Sequence, residues 1–250
     1  MSVDAADHSP AFDGVRIVDA TEGVGGPYVA MLLAEQGADV MKVEGPGGDP
    51  LRGTPAFHVL NRGKRGVVLD IKTESGRDEL RRLVADADVF LHDWPLGRDA
   101  ELGFDAASLR ALHPRLIVGY LPAYGSEGPH ADLPADEALV QAVSGAADAQ
   151  FRYGAQPAFI NIPIAGYAQG VVGAGAVAAS LYARTQTGRG DAFELSQVAA
   201  IFAVQTIAYV RASGVQRLAG RAGPRGGIPT YRLVKASDDW LFAGALLSEY

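Results

Sequence analysis

The sequence predicts an α/β protein: a Rossmann-like, open, mostly parallel sheet with helices on both faces, plus the truncated start of a second, smaller domain. Three observations predict it. Residues 15–44 read as an apolar strand, a glycine-rich turn, an amphipathic helix and a second apolar strand, which is a βαβ unit. Downstream, apolar runs keep alternating with helical patterns, the order that builds a parallel sheet. A Gly/Arg-rich segment, 214–227, then separates this alternation from two final strand-like runs.

In the opening unit Val15, Ile17 and Val18 form the strand, which ends at Asp19. Gly23, Gly25 and Gly26 carry no Cβ, so loop 21–26 is expected to let the backbone approach something closely. Pro27 suits a first helical position, Met31, Leu32 and Leu33 supply an inward face, and Gly37 ends the helix. Residues 39–44 return as the second strand. The loop therefore falls at the carboxyl ends of the strands, where open α/β sheets bind ligands.

Residues 45–55 read as a Gly/Pro loop, and Asn61-Arg62-Gly63-Lys64-Arg65-Gly66 as a basic turn before a strand at 67–70. Thr73 with Ser75 and Gly76 opens a helix carrying Leu80, Leu83 and Val84. A strand at 88–92, a helix at 102–112, a strand at 116–120 and a loop at 122–134 follow. Helices are expected at 137–144, 165–184 and 197–212, with a strand at 192–195 between the last two. Residues 230–234 and 240–243 read as a hairpin. Two strands do not make a stable domain, so the expected organisation is a large domain, 1–213, then a linker and incomplete small domain, 214–250.

Composition narrows the function classes. The chain has 250 residues, 48% of them hydrophobic and 20% charged, which is a soluble globular profile. A net charge of -7 argues against a nucleic-acid surface, which needs clustered Lys and Arg. The absence of cysteine excludes disulfides, thiolate catalysis and thiolate-bound metals. Residues 1–13 match neither a signal peptide nor a transit sequence. Residues 165–182 are apolar enough to raise a membrane-spanning reading, but their small residues equally suit close helix packing in a soluble protein. A cytoplasmic α/β protein, with neither membrane nor nucleic acid as partner, is the expectation.

Spacing alone points weakly to chemistry. The loop reads Gly23-Val24-Gly25-Gly26-Pro27-Tyr28, not GxGxxG, though it lies where a dinucleotide fingerprint would, and Glu44 ends the second strand where a ribose-binding acid would sit. The five histidines show no HxxxH or HExxH spacing, so no metal site is expected. No GxSxG elbow is present. Lys64 and Arg65 suit either a phosphate or a solvated turn.

Several longer stretches carry a resemblance: FDGVRIVDAT, LLAEQGADVMKVEGPGGDPLRG, NRGKRGVVLDIK, ADADVFLHDW, LGFDAASLRALHPRLIVGYLPAYGSEGP, ARTQTGRGDAFELS and GIPTYRL. In that order, from Phe12 to Ala245, they resemble the family III coenzyme A transferases, a superfamily that includes formyl-CoA and carnitine–CoA transferases and methylacyl-CoA racemases. The resemblance implies a Rossmann-like large domain, a smaller domain, and two chains interlocked as rings. It implies no metal and no covalently bound cofactor, with coenzyme A or acyl-CoA as substrate and a homodimer or an assembly with a homologous chain. The implied reaction is covalent catalysis by an aspartate, which attacks the thioester to give an acyl-enzyme anhydride and then an enzyme thioester.

Carried over residue by residue, the resemblance leaves the catalytic residue unknown. The family pattern P-x-A-D-x-x-x-G falls on Pro163-Ile164-Ala165-Gly166-Tyr167-Ala168-Gln169-Gly170, so glycine stands at the nucleophile's place, and no Asp or Glu lies between Arg152 and Arg184. The racemase histidine falls on Asp136 and its neighbouring aspartate on Glu137. Cations usual in the coenzyme A cleft fall on Glu22, Gly45, Pro95, Glu101 and Pro122. The positions that still fit the cleft are Val24, Lys64, Arg65, Leu69, Lys72, Trp94 and Tyr124. The expectation is a family III-like protein with a weakened cleft, moving coenzyme A between an acyl-CoA and a carboxylic acid as part of a larger assembly. Its aspartate would then be supplied by a partner chain or a fused second copy. The alternative is a non-catalytic subunit that pairs with an active homologue. Racemase activity is not expected.

Overall fold

The computed structural model describes residues 9–149, 157–205, 213 and 231–244. Six parallel strands form one sheet: β1 Arg16–Ala20, β2 Asp39–Glu44, β3 Arg65–Val68, β4 Val89–His92, β5 Ile117–Tyr120 and β6 Ala192–Glu194, in the order β3-β2-β1-β4-β5-β6. The expected Rossmann-like α/β sheet is thus present. Alternation along each strand sends side chains to opposite faces. Ile17, Leu91 and Ile117 join one core with Val29, Leu33, Val177 and Leu181, while Val18, Phe90 and Val118 join a second with Leu80, Val84, Phe104 and Leu109. The first core lies under α1 (Gly25–Ala34) and α8 (Ile164–Thr187), and the second under α3 (Glu74–Ala85) and α5 (Ala106–Leu112).

Helix α8 reaches close to α1 because its facing side is glycine. A Cβ added at Gly170 would collide with Tyr28, and one at Gly173 would lie 2.6 Å from Val29 Cγ2. This is the packing that the small-residue composition foretold. It accounts for α8 although its length and hydropathy would suffice to cross a membrane.

Three element expectations are corrected. Helix 102–112 is two helices, α4 (Arg98–Leu102) and α5, because Gly103 takes φ 73° and the Asp105 side chain caps the next turn by accepting from the Ser108 N–H. Strand β3 starts at Arg65 rather than Val67, drawn in by pairing of Arg65 with Met41 and Gly66 with Lys42. After the Gly/Pro loop, residues 55–60 form an unforeseen short helix, α2 (Pro55–Leu60), which buries Phe57 and Leu60.

The remaining helices are α6 (Glu137–Val143), α7 (Ala146–Ala149) and α9 (Gln197–Val204). The expected continuation of α9 to 212 and the linker 214–227 lie outside the described residues. Beyond them β7 (Tyr231–Lys235) and β8 (Trp240–Gly244) pair antiparallel, as the hairpin reading expected.

Candidate functional site

The strand order reverses between β1 and β4, and a cavity of about 530 Å³ opens at the carboxyl ends of those two strands. Ala20, Glu22, Gly23 and Val24 border it after β1, Val43 and Gly45 at β2, Leu69, Ile71 and Lys72 after β3, and Asp93, Trp94 and Arg98 after β4. A second cavity of about 310 Å³, lined by Tyr120, Tyr124 and Leu133, shares Asp93, Trp94, Pro95 and Ala135 with the first. Trp94 borders both.

Of the sequence-predicted residues, Val24, Leu69, Lys72 and Trp94 come together in the first cavity, and Tyr124 lines the second. Lys64 and Arg65 are not brought there. The Lys64 ammonium is buried and donates to Asp19 at 2.8 Å, the Pro27 carbonyl at 2.8 Å and the Asn61 side chain at 2.9 Å. The Arg65 guanidinium lies at the opposite strand ends and pairs with Asp39. Both cations are engaged within the protein, Lys64 because it reaches the first turn of α1 and Asp19, and Arg65 because it starts β3 beside Asp39.

The glycine loop borders the cavity through Glu22, Gly23 and Val24, while the hydrogen bonds of two of its amides and its closest backbone approaches are made within the protein. Its Glu22 N–H donates to Asp93 Oδ2 at 2.8 Å and its Gly23 N–H to Asp49 Oδ2 at 3.3 Å. Gly26 is required because a Cβ there would overlap buried Thr21, and Gly25 because one would overlap Gln169. Two of its amides therefore face acids, not a pyrophosphate. Beneath the loop, Lys42 pairs with Asp49 at 3.3 Å and also donates to the Thr21 carbonyl, while Arg52 and the Asp49 N–H hold Glu44. Glu44, at the place where a ribose-binding acid would sit, is engaged with Arg52.

The electrostatics follow from this layer. Burial raises the Asp19 carboxyl, but Lys64 and Lys42 outweigh it and hold the group down at about 2. Asp93 forms no ion pair among the described residues. Its residue borders the cavity, yet burial of the carboxyl pushes it up to about 7 against the Glu22 N–H and Lys42. Glu22 is raised as well, by burial first and Asp49 next. His92 lies behind Trp94, stacked between Phe90 and Tyr120, and burial lowers it to about 4. The cavity is thus lined by an aromatic residue, Trp94, by two acids, Glu22 and Asp93, and by Lys72 and Arg98 as its cations. Lys72 is exposed, and Arg98 pairs with Glu101 at 3.0 Å.

At the Val24 end stands Gly166, in the first turn of α8. A Cβ there would lie 2.9 Å from Val24 Cγ1 and 3.0 Å from its Cβ. The Gly166 N–H donates to Glu137 Oε2 at 3.1 Å and the Ala165 N–H to Glu137 Oε1 at 2.9 Å. Asp136 caps α6 by accepting from the Ala138 and Leu139 N–H groups. Asp93 and Ala135 are site residues that sequence reasoning missed, and the sequence marks Glu137 only where the racemase pattern has an aspartate. Its contact with α8 is not legible there, because those partners lie 28 and 29 residues away.

Comparison with known proteins places this geometry in a family. The model of CoA-transferase family III matches residues 12–249. The succinate–glutarate CoA-transferase of Agrobacterium fabrum is 31% identical over 257 residues, covering 95% of this chain and 64% of the relative. The formyl-CoA:oxalate CoA-transferase of Streptomyces avermitilis is 32% identical over 218 residues, covering 84% and 52%. The crystal structure of a CAIB/BAIF family protein from Brucella suis superposes with a TM-score of 0.77 at 30% identity, over 93% of this chain and 65% of that one. The chain therefore spans between half and two thirds of these relatives' lengths. Sequence, sheet order and relatives agree that this chain belongs to CoA-transferase family III.

Proposed function

We propose that the Trp94 cavity holds a coenzyme A thioester and that the chain takes part in moving coenzyme A between an acyl-CoA and a carboxylic acid. The observation that carries this reading is the cavity itself: Val24, Leu69, Lys72 and Trp94 converge at the switch point of a family III sheet. A flat aromatic side chain suits a purine or an acyl group, and exposed Lys72 suits a phosphate at the rim. The reading extends to a cytoplasmic assembly of two such chains, or of this chain with a homologue, with 1–213 as the large domain. The relatives' names supply the substrate class: succinate, glutarate, formyl and oxalate groups on coenzyme A.

A second reading, a non-catalytic subunit that positions an active homologue, is favoured by one observation: residue 166 has no side chain to act as nucleophile. An acyl-transfer assay separates the two. The purified chain is given succinyl-CoA and a second dicarboxylic acid, and thioesters are separated by chromatography. Formation of the second thioester supports transfer, and none with the chain alone supports the subunit reading.

Restoring an aspartate at 166 is a further check. Val24 leaves no room for a Cβ, so Gly166→Asp is expected to lower stability by about 1–3 kcal/mol without raising the transfer rate. Thermal unfolding and the same assay measure both. A stable variant faster than the unaltered protein would contradict this.

A further inference from the structure

The family's nucleophile position is empty of side chain, but the place beside it is not empty of carboxylate. Glu137 comes from the start of α6 and reaches the first turn of α8. Its Oε1 accepts from the Ala165 N–H at 2.9 Å and from Gln141 Nε2 at 2.9 Å. Its Oε2 accepts from the Gly166 N–H at 3.1 Å, and from no other group among the described residues. One oxygen is thus doubly held and the other keeps a lone pair. Gly166 abuts Val24, a wall residue of the cavity, and Ala135, two residues before Glu137, lines both cavities. Glu137 itself lines neither of these cavities; its carboxylate is held across Gly166 from Val24.

A second feature marks the same junction. Gln169, one turn further along α8, is fully buried and donates to the carbonyls of Pro122 and Leu195. Its Oε1 has no hydrogen-bond partner and points at Gly25, next to Val24. Buried acceptors are rarely left unpaired. This one is packed against the Gly25 backbone, where a Cβ would overlap it, and Gln169 lines neither cavity.

We infer that Glu137 is the acyl-accepting carboxylate of this chain, taking over the part that residue 166 cannot play; the inference rests on the coenzyme A reading above. Glu137 Oε2 attacks the thioester carbonyl, a C–O bond forms, the C–S bond breaks, and coenzyme A leaves as thiolate with a glutamyl anhydride behind it. The thiolate then attacks the glutamyl carbonyl, releasing the donor acid as carboxylate and leaving an enzyme thioester. An acceptor carboxylate attacks that thioester and expels the thiolate, and the resulting anhydride passes its acyl group to the thiolate, freeing Glu137. No oxidant, reductant or external proton is consumed. The Ala165 and Gly166 N–H groups, already aimed at Glu137, can hold the oxyanion that forms on its carbonyl carbon in the second and third steps. Anionic charge at an α-helix N-terminus is stabilised, which makes Glu137 a good leaving group from the anhydride.

The test is isotopic. One oxygen of the acceptor acid must end in the Glu137 carboxylate after each full cycle, so the chain is incubated with succinyl-CoA and acceptor acid labelled with heavy oxygen, then digested and its peptides weighed. Label confined to Glu137, with transfer falling about a thousandfold or more in Glu137→Gln, is the expected result. Glu137→Gln keeps an acceptor for the helix N-terminus, and its coenzyme A affinity by calorimetry reports an intact site. Transfer with Glu137 unlabelled, or coenzyme A binding with neither transfer nor label, overturns the inference while leaving the binding site standing. A chain that binds no coenzyme A overturns the reading beneath it as well.

Discussion

Asp19→Asn is expected to lower the stability of the protein by about 3–5 kcal/mol. Asp19 is fully buried, the Lys64 side chain is 1% exposed, and Lys42 lies close enough to hold the carboxylate down as well. Removing the charge leaves the buried Lys64 ammonium facing a neutral amide, with Lys42 still paired to Asp49, and an uncompensated buried charge is the costly outcome of breaking such a pair. Urea unfolding at pH 7 measures it, with a lower midpoint and an unchanged slope expected. The acid limb gives the same group a second signature. A carboxyl held at about 2 in the folded protein and near 3.8 when unfolded adds stability above the unfolded value, and loses it as pH falls through the folded one. About 2 kcal/mol should disappear between roughly pH 4 and pH 2 in the unaltered protein and not in Asp19→Asn. A variant within 1 kcal/mol of the parent would show that the layer under the glycine loop is not the ionic structure described.

Asp93→Asn is expected to tighten coenzyme A binding about tenfold at pH 8 and to change little at pH 6. Asp93 is held at about 7 by burial, so its carboxyl is largely neutral at pH 6 and an anion at pH 8, beside a cavity that is to receive an anionic ligand. If binding favours the neutral form, affinity falls by about tenfold across that interval, since each pH unit above the group's value costs a factor of ten. Glu22, Asp19, Lys42 and Asp49 also face this layer. Asp19 and Lys42 keep their charge throughout the interval, and Glu22 is measured alongside as Glu22→Gln. The coenzyme A phosphate ester titrates near pH 6 on its own account, a contribution that both proteins share. Calorimetry at the two pH values checks the difference. A wild-type affinity that is flat from pH 6 to pH 8 would remove Asp93 from the site.

Much of the fold could be read from the chain because its signals are local. Val15, Ile17 and Val18, then Val89 to His92, are apolar runs of strand length between turn residues, and parallel strands buried on both faces look like that. Where a distant partner decides, the reading fails. Strand β3 begins at Arg65-Gly66, residues with little strand preference, because β2 offers them a backbone ladder. Helix α2 hides behind a Gly/Pro run and is stabilised by what Phe57 and Leu60 bury.

The site divides in the same way. Val24, Leu69, Lys72 and Trp94 follow strand ends and were legible as lining from the family pattern, whereas Lys64 looked like a free cation because nothing near it in sequence shows Asp19 45 residues earlier. Gly166 read as a loss. The structure adds its reason, the close approach of α8 to Val24, and shows that a carboxylate from 29 residues away meets the same backbone amide.

The central claim, that the Trp94 cavity receives coenzyme A, is tested most directly by calorimetric titration of the chain with coenzyme A beside Trp94→Ala and Lys72→Ala. The account predicts saturable binding of one coenzyme A per chain, weakened about tenfold or more by Trp94→Ala through the lost aromatic surface and made less salt-sensitive by Lys72→Ala. No saturable heat with the unaltered chain, or binding that neither substitution changes, would contradict it.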